Sequence, residues 1–112
     1  MDTKYRETGG LRWGESFWNA ANATWPFATL TATHDGLHIS MRFIGLWNEE
    51  FDFAKSDVLG ITQKKGLIPF ISTGIVLAHQ KAGYPRFILF WTFEYQKLKT
   101  ALTRLGFAVA DQ

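Results

Sequence analysis

The chain of 112 residues contains no cysteine, and this absence excludes disulfide bonds, thiolate zinc sites and cysteine nucleophiles together. No charged segment followed by an apolar one begins the sequence, so no secretory signal is predicted and we expect a reducing, cytoplasmic location. Without disulfides, an apolar core must hold the fold. Ten Phe and five Trp supply large apolar surfaces for such a core.

Long apolar runs and blocks of like charge are also missing. The longest apolar run, residues 67–78, is interrupted by Pro69, Ser72, Thr73 and Gly74, whereas a membrane-spanning helix needs roughly 20 apolar residues. No transmembrane helix is therefore predicted. The net charge is +2, with basic and acidic residues alternating along the chain, and this distribution does not indicate nucleic acid as a partner.

The N-terminal third is polar at first and then aromatic. Residues 1–10 are polar and end in two glycines, which predicts a flexible N-terminal arm followed by a single domain over residues 11–112. Four large aromatic residues then fall within a short stretch: Trp13, Phe17, Trp18 and Trp25. They either pack on the body as an extra strand or stay partly exposed as a partner or self-association surface.

Alternation of apolar and polar residues predicts a body of seven short strands. Residues 27–33 place Ala28, Leu30 and Ala32 on one face, and residues 37–43 alternate in the same way after a turn. Because hairpin turns favour Asp-Gly, we expect positive φ angles at Asp35 and Gly36. The other strands are predicted around Phe51 and Phe53 and over residues 58–63, 67–71, 74–79 and 86–91.

One amphipathic helix is predicted near the C-terminus, over about residues 93–105. Its apolar residues recur at steps of three and four and form one stripe: Tyr95, Leu98, Leu102 and Leu105. Thr92 is expected to be the N-cap, and Gly106 and Phe107 follow the order of a left-handed C′ glycine and its hydrophobic C″ partner. The predicted fold class is thus mainly β with one C-terminal helix.

Four segments of the sequence resemble a bacterial family of pleckstrin-homology-like (PH-like) domains of uncharacterised function: residues 22–30, 35–37, 86–91 and 105–107. The resemblance implies a PH-like, two-sheet, partly open antiparallel β-barrel capped by an α-helix. Phosphoinositide-binding PH domains resemble one another in a basic pattern around the first hairpin loop. Here that loop contains Asp35, and Arg42 is the only cation nearby in sequence, so the resemblance does not extend to inositol-phosphate recognition.

No arrangement in the sequence is typical of catalysis or of metal binding. His34 and His38 are separated by a turn and a strand start, and we interpret them and His79 as surface histidines rather than zinc ligands. Glu50 and Asp52 share one strand face, where they form either an acid–base pair or the solvated side of a strand. We expect no enzyme activity, no metal and no cofactor.

The strongest candidate binding surface in the sequence joins two cations to an apolar run. Its residues are Lys64, Lys65, Leu67, Ile68 and Phe70, with Trp47 on a nearby connection. Such a surface suits an anionic membrane, at about 1 kcal/mol for each lysine near the lipid. A solvated turn followed by a core strand explains the same residues.

Three functional hypotheses follow from the sequence. The first is a non-catalytic binding or assembly module that acts through a protein partner or through self-association, since exposed sheet edges allow strand addition without special residues. The alternative is a peripheral protein that binds anionic lipid at the inner membrane face through the basic and apolar surface. The third is a hydrolase built on Glu50 and Asp52.

Overall fold

The computed structural model describes residues 4–16, 20–43, 47–65 and 73–111 of the chain. These residues form eight strands and one helix: β1 (Tyr5–Gly14), β2 (Ala20–Thr33), β3 (Gly36–Phe43), β4 (Trp47–Ala54), β5 (Val58–Lys65), β6 (Thr73–His79), β7 (Phe87–Thr92), α1 (Tyr95–Arg104) and β8 (Val109–Ala110). A single 3-10 turn, Lys55–Asp57, joins β4 to β5. The prediction of a mainly β chain with one C-terminal helix is confirmed.

All eight strands belong to one sheet, in the order β4-β3-β2-β1-β7-β6-β5-β8, and not to the two sheets that the PH-like resemblance implied. Neighbouring strands are antiparallel, except that β8 pairs with β5 in parallel. Because β4 and β8 stand at opposite ends of this order, the sheet is open. The buried core draws side chains from β1 to β7 and from α1.

The β2–β3 hairpin follows the predicted alternation, with Leu30 and Ile39 paired and fully buried. Its turn differs from the prediction. Among the described residues, positive φ angles are confined to Gly83 and Gly106, so the expected ones at Asp35 and Gly36 do not occur. Gly36 begins β3 instead, and a Cβ there would lie 2.0 Å from the carbonyl oxygen of the neighbouring strand's Phe53. Close approach of two backbones therefore requires this glycine.

The later strands agree with the sequence pattern where the structure describes them. In β4, Phe51 and Phe53 are buried while Glu50 and Asp52 are exposed, as predicted. The predicted strand over residues 58–63 is β5, and the predicted last pair is β6 and β7. The predicted strand over residues 67–71 lies outside the described residues.

The predicted flexible arm over residues 1–10 is wrong for residues 5–10, which belong to β1 in the middle of the sheet. The two glycines that suggested an arm allow close packing instead. A Cβ on Gly9 would lie 2.1 Å from the carbonyl oxygen of Trp91, and a Cβ on Gly10 would lie 2.2 Å from its indole ring. Glycine within a strand commonly marks such an approach of backbone or side chain.

Helix α1 closes the core with the predicted apolar stripe, and Tyr95, Leu98 and Leu102 are buried along it. The helix begins two residues later than predicted, and Glu94 rather than Thr92 is the N-cap. Its end is the predicted one. Gly106 has a φ of +95°, its amide donates to the Thr103 carbonyl at 3.1 Å, and the Phe107 amide donates to the Leu102 carbonyl at 2.9 Å.

A lysine side chain also caps the end of α1. Lys55 Nζ donates to the carbonyl oxygen of Leu105 at 2.8 Å and lies 4.8 Å from the centre of the Phe107 ring. Carbonyl groups in the last turn of a helix have no intrahelical partner, and a cation there also complements the helix dipole. Lys55 thus ties the helix end to the turn between β4 and β5.

We expect Leu102→Ala to lower the free energy of unfolding by about 2–5 kcal/mol, because it removes a fully buried side chain from the stripe of α1. Thr103→Ala, at the adjacent exposed position, is the matched control and should change it by less than about 0.5 kcal/mol. Denaturant unfolding of both variants measures the difference. Equal stability of the two would mean that α1 does not close the core.

Candidate functional site: a groove between strand β1 and helix α1

The binding surface predicted around Lys64 and Lys65 is described only in part. These residues end β5, where they pair with Gly74 and Thr73, and Lys65 is exposed. The apolar residues Leu67, Ile68 and Phe70 lie outside the described residues, and of Trp47 only the backbone, at the start of β4, is described. The surface therefore stays a prediction.

The carboxylates of Glu50 and Asp52 flank a histidine. His38 Nδ1 lies 2.5 Å from Asp52 Oδ1, and His38 Nε2 lies 3.2 Å from Glu50 Oε1. Because the two oxygens approach opposite sides of the imidazole ring, they do not converge on one point where a metal or a substrate atom would sit. Within the described ranges, no group of three or more His, Asp or Glu residues is suited to hold a metal ion.

A groove opens where β1 extends beyond its neighbour β7. Strand β7 pairs with β1 only over Gly10–Gly14, whereas β2 pairs with β1 from Tyr5 onward. After Thr92 the chain leaves the sheet and enters α1. In the described part of the chain, residues 5–8 of β1 therefore have a strand on one side only. The other side faces α1, whose residues from Gln96 to Arg104 line the groove with Tyr5.

The register shows which backbone groups face this groove. Thr33 and Gly36 flank a two-residue turn and therefore exchange backbone hydrogen bonds. Counting back from Thr33, every second residue of β2 bonds to β3, and the residues between them bond to β1. Arg6 and Thr8 pair with the residues that bond to β3, so their own N–H and C=O groups point into the groove. Thr92 Oγ1 lies 3.3 Å from the Thr8 carbonyl oxygen there.

A buried carboxylate forms the base of the groove. Glu7 is only 6% exposed, and it accepts hydrogen bonds from the hydroxyl of Tyr5 and, at 2.5 Å, from the hydroxyl of Thr92. The Thr92 oxygen accepts in turn from the Glu94 amide at 3.1 Å. Both carboxylate oxygens thus have a donor, as burial of a charged group requires. These bonds hold β1 against the start of α1.

Two exposed aromatic rings line the mouth of the groove. Trp25 is 44% exposed and Phe93 is 49% exposed, with ring centres 5.6 Å apart. Phe93 also packs edge-on against Trp91 at 5.5 Å. Trp25 reaches this position because residues 24–27 of β2 form an irregularity opposite Gly10, where the register with β1 shifts.

The groove consists of two adjoining clefts that share Tyr5 and Lys97. The first encloses about 270 Å³, and its lining includes Glu7, Trp25 and Phe93. The second is a shallow depression of about 340 Å³ beside Thr100 and Arg104 of α1 and is largely open to solvent. We call the two together, with the exposed Arg6 at the edge of the first, the β1–α1 groove.

The sequence pointed to one residue of this groove and missed the others. Of the N-terminal aromatic residues, Trp13 is buried in the core and Trp25 is exposed at the groove; Phe17 and Trp18 lie outside the described residues. The predicted N-terminal arm includes Tyr5 and Glu7, so the sequence does not indicate a site there. The alternation of Tyr5, Glu7 and Gly9 with Arg6 and Thr8 was a signal for a strand, but it is too short to stand out.

Comparison with protein-family models found no family that matches the chain, and comparison with curated proteins found no match. In the described ranges, no helix has both the length and the apolar character needed to cross a membrane.

Two tyrosines should make the protein less stable in alkali. Burial, and then the Glu7 carboxylate, raise the pKa of Tyr5, and burial raises the pKa of Tyr95. An unfolded tyrosine loses its proton near about pH 10, whereas the folded one keeps it. We therefore expect the free energy of unfolding to fall as the pH rises above about 10, until the folded pKa is passed. Tyr5→Phe should flatten this fall.

A second variant separates the pH effect from the loss of a hydrogen bond. At neutral pH, Tyr5→Phe should lower stability by about 1–3 kcal/mol, because it removes a donor to Glu7. Tyr95→Phe should flatten the alkaline fall without that loss, since the Tyr95 hydroxyl is buried with no partner among the described residues. Denaturant unfolding at several pH values tests both. An unchanged alkaline profile in both variants would contradict the prediction.

Amide hydrogen exchange should reveal the free side of β1. In the native protein, we expect the amides of Arg6 and Thr8 to exchange faster than those of Glu7 and Gly9, because only the latter bond to β2. Adjacent residues of β2 between β1 and β3, such as Leu30 and Thr31, should all be protected and serve as the control. Equal protection at residues 6 to 9 would mean that the groove side is already paired.

Proposed function

We propose that this protein is a non-catalytic binding module of PH-like fold, and that its β1–α1 groove holds an extended segment of a protein partner. The PH-like assignment is supported by the open sheet, which is antiparallel from β4 to β5, and by the C-terminal helix that packs on its core. One observation carries the binding role: an edge of β1 with which no described strand pairs lies beside two exposed aromatic rings. Affinity would come from main-chain bonds to the edge and specificity from the rings.

The exposure of the Trp25 and Phe93 rings supports a partner surface at this position. Trp and Phe side chains bury large apolar areas when they can, and exposed clusters of them mark partner surfaces. Trp25 and Phe93 lie side by side next to a cleft, which is the arrangement of an anchoring site at an interface. Leu59, at 64% exposure, is an exposed apolar side chain on β5 that is not among the lining residues of the groove.

The edge of β1 also differs from the outer edge of the sheet at β4. Strand β4 bears Glu49, Glu50 and Asp52, and acidic residues on an edge strand oppose pairing with another strand. The Asp52 amide, which points away from β3, already donates to the Tyr84 hydroxyl at 3.1 Å. The outer edge is therefore protected, whereas the groove side of β1 offers its backbone groups.

The polar groups of the groove support binding rather than catalysis. Glu7 is engaged by two hydroxyl groups, and Glu94 is paired with Lys97 at 3.2 Å. A general acid or base must reach a substrate proton directly or through one water. The exposed pair Glu50 and Asp52 lies outside both clefts of the groove, so the hydrolase hypothesis gains no support from it.

Selection from a displayed library of random peptides tests the proposed function. Peptides that bind the full chain should bind Trp25→Ala/Phe93→Ala at least about tenfold more weakly. Leu59→Ala, which removes an exposed apolar side chain elsewhere, should bind them as the wild type does. Failure to select any peptide, or peptides that bind the double variant unchanged, would overturn the proposal.

Two further measurements test the other possible partners, which are a second copy of the chain and an anionic membrane. A molecular mass that rises with protein concentration, and no longer does so in Trp25→Ala/Phe93→Ala, would make a second copy of the chain the partner. Co-sedimentation with anionic but not neutral vesicles, lost in high salt and in Lys64→Glu/Lys65→Glu, would favour the membrane hypothesis instead. Protein that remains in the supernatant with all vesicles would exclude the membrane hypothesis, and the protein-binding proposal would stand.

A further inference from the structure

We infer that the segment bound in the β1–α1 groove is acidic, with two adjacent Asp or Glu residues that contact Arg6 and Arg104. This inference rests on the proposed function and specifies its ligand. It follows from the charges along the groove, from the direction of the free backbone groups and from the alternation of side chains on an added strand.

The groove has two arginines that have no anionic partner among the described residues. Arg6 and Arg104 are exposed, and neither forms an ion pair within the described ranges. They lie on either side of Tyr5, since Arg6 lines the first cleft and Arg104 the second. Arginine binds carboxylates through two parallel hydrogen bonds, which favours it at recognition sites.

The acidic residues of the groove do not neutralise these arginines. Glu7 is buried beneath the surface and bonded to the hydroxyl groups of Tyr5 and Thr92. Glu94 is paired with Lys97. The charge that an incoming segment meets is therefore positive, so carboxylates are attracted and cations are repelled.

Strand geometry places the two carboxylates on adjacent residues of the segment. A residue that pairs with Arg6 has its side chain on the same face of the sheet as the Arg6 side chain. The next residue points to the opposite face, which is the face of Tyr5 and of the cleft beside Arg104. A pair of neighbouring acids thus contacts both arginines, and an apolar residue farther along contacts Trp25 and Phe93.

Matched synthetic peptides test this inference with the full-length protein. The probes are short, end-capped peptides of β-forming residues with one Phe and an adjacent Glu–Glu, Gln–Gln or Lys–Lys pair. In calorimetric titrations at low salt, the Glu–Glu peptide should bind at least about tenfold more tightly than the Gln–Gln peptide. Binding of the Lys–Lys peptide should be weaker still. The preference should shrink at high salt.

Variants of the protein test whether Arg6 and Arg104 cause the preference for the Glu–Glu peptide. Arg6→Gln/Arg104→Gln should abolish the preference for Glu–Glu over Gln–Gln, whereas Arg86→Gln, at an exposed arginine before β7, should leave it unchanged. Binding should also slow the exchange of the Arg6 and Thr8 amides. Methylation of alternate peptide nitrogens should remove both this protection and most of the affinity, because it blocks strand pairing.

The possible results separate the inference from the proposed function. Equal affinity for the Glu–Glu and Gln–Gln peptides, with Arg6 and Thr8 still protected, would overturn the acidic ligand and leave the groove as the binding site. A Glu–Glu preference that survives Arg6→Gln/Arg104→Gln would overturn the assignment to these arginines. A third result is that none of the three peptides binds, while peptides from the library still need Trp25 and Phe93 for binding. The inference of an acidic ligand would then be wrong, and the proposed binding site at the two aromatic rings would stand.

Discussion

The packing of Trp91 and Phe90 against two glycines of β1 is the contact on which the sheet depends. In the sheet order, β1 is the strand that joins the β4-β3-β2 half to the β7-β6-β5 half. Any side chain on Gly9 or Gly10 would collide with the backbone or rings of β7, at 2.1 and 2.2 Å. The absence of two Cβ atoms thus allows one continuous hydrogen-bonded sheet over a common core.

The same junction creates the groove. The register between β1 and β2 shifts next to Gly10, and this irregularity turns Trp25 toward Phe93. β1 then continues past the end of β7, because the chain leaves the sheet after Thr92 to form α1. The buried Glu7 fixes the two sides, since hydroxyl groups from β1 and from the end of β7 both donate to it. A structural joint and a candidate binding site therefore share one set of residues.

The core-forming patterns could be predicted from the sequence where they are local. The alternation in β2, β3 and β4 gave the correct buried faces, and the Gly106-Phe107 pair gave the correct helix end. The prediction failed where a residue's role depends on distant partners. The sequence pattern predicts an arm at Gly9 and Gly10, a turn residue at Gly36 and an N-cap at Thr92, whereas the contacts that explain these residues come from other strands or from the start of α1.

Sequence alone determined the secondary structure of the hairpin and helix, because hydrogen bonds between near neighbours and a repeating apolar pattern decide these elements. Tertiary structure decided the place of β1, the exposure of Trp25 and the placement of Arg6 and Arg104 in two clefts that share Tyr5. These features depend on pairing between residues some eighty positions apart, such as Gly10 with Trp91. Such pairing follows from the fit of whole surfaces, which a local pattern of residues does not specify.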